Sequence, residues 1–235
     1  MTNRNKIETS HYEQGSAIVY VFIGIILFAA LMFTFSRISQ NGNSNMSNKR
    51  AAVIASEMLG YSNDVQKSVD ALLLKGCSES QLSFENNSEA GYTNAAAPAD
   101  KSCHLFNSAG GHMSYQYPPT GAETIRTAAA HPGYHNYAFT GNMKISSLGT
   151  TLPELIIWTQ TNKEVCDQIN SQLGQTTADE IFADGVIGGL FTGSFATAGP
   201  ETIGDDAYPP ELPAGCFNRP VYPGQYIFYK VLITR

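Results

Sequence analysis

The chain has 235 residues, a formal net charge of −6 and charged side chains at only 14% of its positions. The negative charge argues against a nucleic-acid-binding role, because such proteins cluster Lys and Arg against phosphates. The length allows one medium-sized domain with a real hydrophobic core beside a separate terminal segment.

The first predicted element is an apolar stretch at residues 16–36, SAIVYVFIGIILFAALMFTFS, with no charged residue and no proline. As an α-helix rising about 1.5 Å per residue, it would cross the roughly 30 Å hydrocarbon core of a bilayer. Its apolar residues occupy every side of the helix. The sequence therefore predicts a transmembrane or filament-core helix over residues 16–37. A cleaved signal peptide and a buried soluble helix are the alternatives.

Residues 1–15 form a short polar leader that contains Arg4 and Lys6 and ends in Gly15, directly before Ser16 and the apolar stretch. This pattern resembles the N-terminus of type IV pilin-like proteins, including the pseudopilins of secretion systems. The resemblance covers residues 1–40. It implies that a prepilin peptidase cuts between Gly15 and Ser16, and that the apolar helix then packs in the core of a filament. Family members usually carry Glu at the fifth position after the cut, where this chain has Tyr20.

The resemblance also implies partners and a location. The partners would be further copies of the chain, the peptidase, and the assembly machinery of the inner membrane. Close packing of neighbouring helices would use the small residues Gly24, Ala29 and Ala30, together with Tyr20. The protein would lie in the inner membrane before assembly, with its head in the periplasm or at the cell surface, and then in an extracellular filament.

Beyond the apolar stretch, residues 38–48 (ISQNGNSNMSN) are polar and predict a flexible linker or a melted stretch of helix. Residues 49–75 have apolar positions at spacings of three and four, which predicts an amphipathic helix that stops at Gly76. The predicted globular head covers residues 49–235. Its fold class is α+β, with an antiparallel sheet packed beside the long N-terminal helix.

Short runs rich in aromatic and branched residues predict the strands of the head. A capping pattern, in which Thr161 precedes Glu164 by three residues, predicts a short helix over 161–173. Residues 175–215 are rich in Gly, Ala and Pro and predict irregular structure. The predicted strands are 81–85, 113–117, 137–146, 154–160 and 225–234.

All four cysteines follow the apolar stretch, and none forms a CxxC pair. Two disulfides in an oxidising compartment are the economical interpretation, which places the head outside the cytoplasm. We expect Cys77 to pair with Cys103 and Cys166 with Cys216, because each pair closes a loop that would otherwise be poorly ordered. The other two connectivities remain open, as does a set of four reduced thiols.

Candidate metal ligands give only a weak signal. Pro132 and Gly133 separate two histidines and break the helix that a zinc pair at i and i+4 would need. The acidic residues have no EF-hand spacing, so a calcium site made by them is only an alternative to solvated turns. We therefore expect no metal or cofactor, and surface positions for these residues: His104, His112, His131, His135, Asp179, Glu180, Asp184, Asp205 and Asp206.

The chain has neither a GxSxG motif nor a P-loop. We therefore expect that the protein is not an enzyme. The first hypothesis for function is a structural pilin-like subunit. The second is a single-pass membrane-anchored envelope protein with a periplasmic domain that binds a ligand or partner. The tyrosine at position 20 favours the second.

Overall fold

The computed structural model describes residues 16–122, 134–175, 189–197, 201–204, 212–218 and 224–235; of these, side chains are described for all but 16–19, 29–46 and 201. The chain divides into two compact units, Met1–Ser47 and Asn48–Arg235. The expected leader, residues 1–15, lies outside the described residues.

Helix α1 covers Ser16–Leu74. Gly76, two residues after the last helical residue, has a φ of 100°, which is readily reached only by glycine. The Cys77 N–H then donates to the Leu72 carbonyl at 3.1 Å and closes the end of the helix. Residues 38–48, expected to form a linker, are helical and continue α1. Low helix propensity in Asn and Ser costs only a few tenths of a kcal/mol per residue, so a helix that has already formed propagates through them.

The second unit contains a five-stranded sheet in the order β3-β1-β2-β5-β4. Neighbouring strands are antiparallel except β1 and β3, which are parallel with Met143 opposite Glu201. A short 3-10 helix covers Glu79–Gln81. The other elements are β1 Ala138–Ile145, β2 Glu154–Thr161, α2 Lys163–Gln172, β3 Glu201–Ile203, β4 Ala214–Asn218 and β5 Tyr226–Ile233.

The predicted fold class, a membrane or filament helix followed by an antiparallel-sheet head, is wrong. Within the described residues, no helix is both long and apolar enough to cross a membrane. The sheet is mixed, because β3 adds to its edge in parallel. This strand has only three residues, in a stretch rich in Gly and Pro, so its own sequence does not signal a strand.

Strands β1, β2 and β5 lie where the sequence predicts strands. The runs 81–85 and 113–117 do not form strands of the sheet; the first contributes a single bridge between Ser83 and His104. Helix α2 is also present, but its N-cap is Asn162, which accepts from the Val165 N–H at 3.0 Å. The expected cap, Thr161, instead donates its hydroxyl to the Ala122 carbonyl at 2.7 Å.

The hydrophobic core lies between α1 and one face of the sheet. Positions at helical spacing on α1 are buried together with alternate positions of β1, β2 and β5. This is the amphipathic face expected for residues 49–75. The buried residues that define the contact are Ile54, Met58, Val65, Val69 and Leu72 of α1, and Phe139, Ile157 and Phe228 of the sheet.

Two disulfides are present, in the pairing expected from the sequence. Cys77–Cys103 joins the turn after α1 to the loop that follows, and Cys166–Cys216 joins α2 to β4. Beside the second disulfide, the Asn170 amide donates to the Cys216 carbonyl at 2.7 Å and accepts from the Cys216 N–H at 2.8 Å. Two disulfides fit a protein of an oxidising, extracytoplasmic compartment.

Removing either disulfide should destabilise the protein through the unfolded chain. The bonds span 26 and 50 residues. Chain entropy then predicts a loss of about 3.5 kcal/mol for Cys77→Ala with Cys103→Ala, and about 4 kcal/mol for Cys166→Ala with Cys216→Ala. Urea unfolding of both double variants measures the losses, each variant serving as the control for the other. Unchanged urea midpoints would contradict this account.

Candidate functional site

The first candidate site is the apolar segment, defined as residues 20–28 of α1. Its side chains are exposed on every side of the helix, from 47% at Ile23 to 71% at Tyr20. Large side chains are exposed at consecutive positions without alternation, so the exposed apolar surface of this segment runs round the whole helix. Soluble monomers rarely expose such a contiguous apolar surface, so it marks a contact surface.

Burial of the apolar segment would be strongly favourable. Complete burial of one large aliphatic or aromatic side chain contributes roughly 1.5–3 kcal/mol, and the segment carries eight that are about half exposed or more. Residues 16–36 include no charged side chain, so no ion would have to be dehydrated. The segment can therefore drive association with any apolar surface of matching shape.

The structure describes only some of the residues that we expect to act in assembly. Tyr20 and Gly24 belong to the apolar segment, and a Cβ added at Gly24 would meet no atom of the described residues within 4 Å. Ser16 is the first residue of α1. Gly15, and the side chains of Ser16, Ala29 and Ala30, lie outside what the structure describes.

The histidines do not converge on a common site in the described part of the chain. His104 is buried, and its Nε2 lies 3.2 Å from a carboxylate oxygen of Glu85. His112 and His135 occupy loop positions with positive φ. No group of three or more His, Cys, Asp or Glu side chains that could hold a metal ion occurs among the described residues. His131 and the acids considered for calcium, at 179, 180, 184, 205 and 206, lie outside them.

A second candidate site is a pocket of about 420 Å³ in the second unit, which we call the α1 pocket. Helix α1 lines it with Glu57, Gly60, Tyr61 and Asp64. These positions recur at spacings of three and four and therefore share one face of the helix. The other lining residues are Gln116, Tyr117 and Pro119 of the long loop, and Tyr137 before β1.

Two tyrosines that line the α1 pocket pack against each other. The rings of Tyr61 and Tyr137 lie with their centroids 4.8 Å apart, and the Gln116 N–H donates to the Tyr61 hydroxyl at 3.2 Å. Burial raises the pKa of Tyr61 to about 12, an effect that the bond from Gln116 partly offsets. Burial is also the main cause that raises the pKa of Tyr137, and electrostatic interactions with Tyr61 and Glu57 add to it. Both hydroxyls are therefore protonated at neutral pH.

The sequence analysis did not predict the α1 pocket. Its lining residues lie up to 80 positions apart in the chain, so no local pattern connects them. One signal was available: Gly60 interrupts an otherwise regular amphipathic helix, and a glycine at such a position often has a packing or functional reason.

Glu154, the first residue of β2, is a buried carboxyl group. Its Oε2 accepts from the Ile145 N–H at 2.9 Å, whereas Oε1 has no hydrogen-bond partner among the described residues. Burial raises its pKa from 4.5 to about 7, against the smaller lowering effects of the Ile145 bond and the positive charges of Lys144 and Arg235. The group is therefore partly protonated near neutral pH.

Searches with the chain against protein-family models, curated proteins and solved structures found no match. Function is therefore inferred from the residues themselves.

Glu154 should make stability depend on pH in one direction. Because its pKa is higher in the folded chain, its protonated form stabilises the fold fully below pH 4.5, and this contribution disappears as the pH rises through about 7. The wild type should lose stability between pH 5 and pH 8 as Glu154 ionises. The glutamine of Glu154→Gln cannot ionise, so we expect this loss to be smaller by about 2 kcal/mol in the variant. Urea unfolding at several pH values tests this, with the exposed Glu164→Gln as the control. Parallel pH profiles for wild type and Glu154→Gln would contradict it.

Proposed function

We propose that this chain is a structural, non-enzymatic pilin-like subunit of an extracellular filament or secretion pseudopilus. The observation that carries the proposal is the apolar segment, a helical surface of nine residues exposed on every side. A polymer of identical chains provides the matching apolar surface, because each copy supplies the same segment to its neighbours.

Assembly would proceed by packing the apolar segments of neighbouring copies. Van der Waals contact favours close approach of the helices, and Gly24 leaves room for a neighbouring backbone, since no described atom fills the space around it. The second unit would then face outward. Its two disulfides support an extracytoplasmic location, where they persist.

The proposal includes processing by a prepilin peptidase between Gly15 and Ser16 and handling by the assembly machinery of the inner membrane. Support comes from the leader, which ends in glycine directly before the uncharged stretch. The protein would reside at the inner membrane before assembly and in the filament afterwards.

A second candidate is an anchored envelope protein whose outer domain binds a ligand or partner, without cleavage at Gly15. Tyr20 favours it, because a tyrosine hydroxyl replaces the carboxylate that pilin-like proteins usually present at this position. The α1 pocket favours it too, since a subunit with a purely structural role has no need of a pocket.

A charge placed in the apolar segment should block assembly. Ile26 is 65% exposed, so Ile26→Asp leaves the second unit intact but would bury an unpaired carboxylate between packed copies. We expect at least a tenfold drop in filaments recovered by shearing and counted by electron microscopy. Leu152→Asp, at an exposed apolar position in a loop of the second unit, is the matched control and should assemble normally. Normal filament numbers with Ile26→Asp would sink the proposal.

The N-terminus of the mature protein separates the two candidates. We expect the intact mass and N-terminal sequence of protein from its native membrane or extracellular fraction to show a chain that begins at Ser16. A chain that retains Met1 or Thr2 would refute processing and favour the anchored binding protein.

A further inference from the structure

The outer edge of strand β4 is covered by helix α2 and the residues after it. Among the described strands, β4 stands at one end of the sheet and has β5 as its one neighbour. The Asn170 amide of α2 donates to the Cys216 carbonyl at 2.7 Å and accepts from the Cys216 N–H at 2.8 Å. Beside it, the Gln175 amide donates to the Ala214 carbonyl at 2.7 Å. These side chains therefore occupy backbone groups of β4 that could otherwise pair with a further strand.

Strand β4 lacks the features that usually protect an edge strand. Such strands commonly carry lysine, proline or a bulge, each of which hinders pairing with another molecule. The sequence of β4 is AGCFN, without a charged residue or proline. Its register with β5 runs from Ala214 to Asn218 without a bulge. In the described part of the chain, the contact with α2 is therefore what withholds this edge from a further strand.

A covalent bond holds α2 against β4. Cys166 lies one turn before Asn170 on α2, and its disulfide partner is Cys216, the residue whose backbone groups Asn170 binds. Cys216 is thus attached to α2 by its side chain, its N–H and its carbonyl. Val165 and Ile169 of α2 are buried in the core and add non-covalent packing. With the disulfide closed, α2 cannot leave β4. With the disulfide open, only non-covalent contacts have to break, and α2 can separate in a local opening of the fold.

The strand that fits the uncovered edge is β4 of a second copy. Strand β4 has five residues, and Cys216 is the middle one. When two such strands pair in antiparallel around a twofold axis, Cys216 of one copy lies opposite Cys216 of the other, and the two residues exchange N–H···O bonds. These are the same backbone groups that Asn170 occupies in the covered state. Because β4 carries no charge, no like charges would face each other across the pair.

We propose that α2 is a redox-sensitive cover of the β4 edge, locked by the Cys166–Cys216 disulfide. A dithiol that reduces this bond leaves two thiols on the chain and closes its own disulfide. Helix α2 can then separate, and β4 pairs with β4 of a second copy. In an oxidising compartment the disulfide persists and the cover stays closed. The inference concerns the second unit alone and does not depend on filament assembly.

Sedimentation of the full-length protein in detergent tests the proposal. All chains, including the parent, carry Ile26→Asp, so that packing of the apolar segments does not contribute to the association measured. Cys166→Ser with Cys216→Ser, which we call the unlocked variant, represents the reduced cover. Cys77→Ser with Cys103→Ser is the matched control, because it also removes one disulfide but leaves α2 locked. We expect the unlocked variant to associate at a protein concentration at least tenfold below that of the parent, and the control to sediment like the parent.

Hydrogen exchange locates the association. In the dilute unlocked variant, the peptide that covers residues 214–218 should exchange faster than in the parent, because α2 opens. In the concentrated variant it should exchange at least threefold more slowly than in the dilute one, because β4 is paired. Adding Asn170→Ala removes both bonds to Cys216 and should lower the concentration for association at least threefold further. Ser171→Ala, at an exposed position of the same helix, is its matched control and should add nothing.

Three results would overturn the proposal. The first is an unlocked variant that unfolds cooperatively in urea but sediments like the parent at every concentration. The second is equal association of the control, which would assign the effect to lost stability. The third is association without a concentration-dependent change of exchange at 214–218, which would place the contact elsewhere. If the unlocked variant does not fold, the parent is reduced with dithiothreitol and measured in its place, and absence of association or of the change in exchange then overturns the proposal.

Discussion

The contact between the buried face of α1 and the central strands is the interaction on which the second unit depends. Residues from Ile54 to Leu72 lie on one face of the helix and pack against alternate positions of β1, β2 and β5. All eight residues of β2 are buried, so the sheet is covered on both faces. The described polypeptide between α1 and β1, residues 75–122 and 134–137, is largely irregular, and several of its side chains are buried in the same core. Cys77–Cys103 reinforces that arrangement where the helix ends.

One helix surface thus serves two purposes. Its apolar positions anchor the fold, while the neighbouring positions Glu57, Gly60 and Asp64 line the α1 pocket. Tyr61 belongs to both, because its ring is buried against Tyr137 and its hydroxyl fixes the loop at Gln116. The pocket is therefore built on a rigid element, a condition for holding a small ligand in one geometry. In the first unit the same helix carries the apolar segment, in which the Tyr20 hydroxyl is the only polar side-chain group among residues 20–28.

Local patterns in the sequence predict the elements that are defined locally. Strands β1, β2 and β5 are rich in branched and aromatic residues, and the stripe of α1 has a helical period. By contrast, β4 has the sequence AGCFN, which has little strand propensity, and it is a strand because β5 pairs with it over five residues. The three residues of β3 likewise depend on a partner about 60 positions earlier. Residues 38–48 are rich in Asn and Ser, yet they are helical, because low helix propensity is a weak local preference.

The candidate sites show the same difference between features defined by local sequence and features that depend on distant residues. The apolar segment is contiguous, so its character can be read directly from residues 16–36. The α1 pocket brings together residues from α1, the loop at 116–119 and position 137, which no local pattern connects. Gly60 in the interior of α1 is the one local feature of this site, and by itself it does not identify a pocket.

The hydrogen bonds that Asn170 makes to Cys216 also affect whether another molecule could pair with the edge of the sheet. Strand β4 lies at an edge of the sheet, where free backbone groups would invite a strand from another molecule. Asn170 occupies both backbone groups of Cys216, and the Gln175 amide donates to the Ala214 carbonyl at 2.7 Å. Side chains from α2 and the residues after it thus imitate a sixth strand. At these positions they occupy the backbone groups that amyloid-like strand addition would need, so a strand of another molecule cannot pair there.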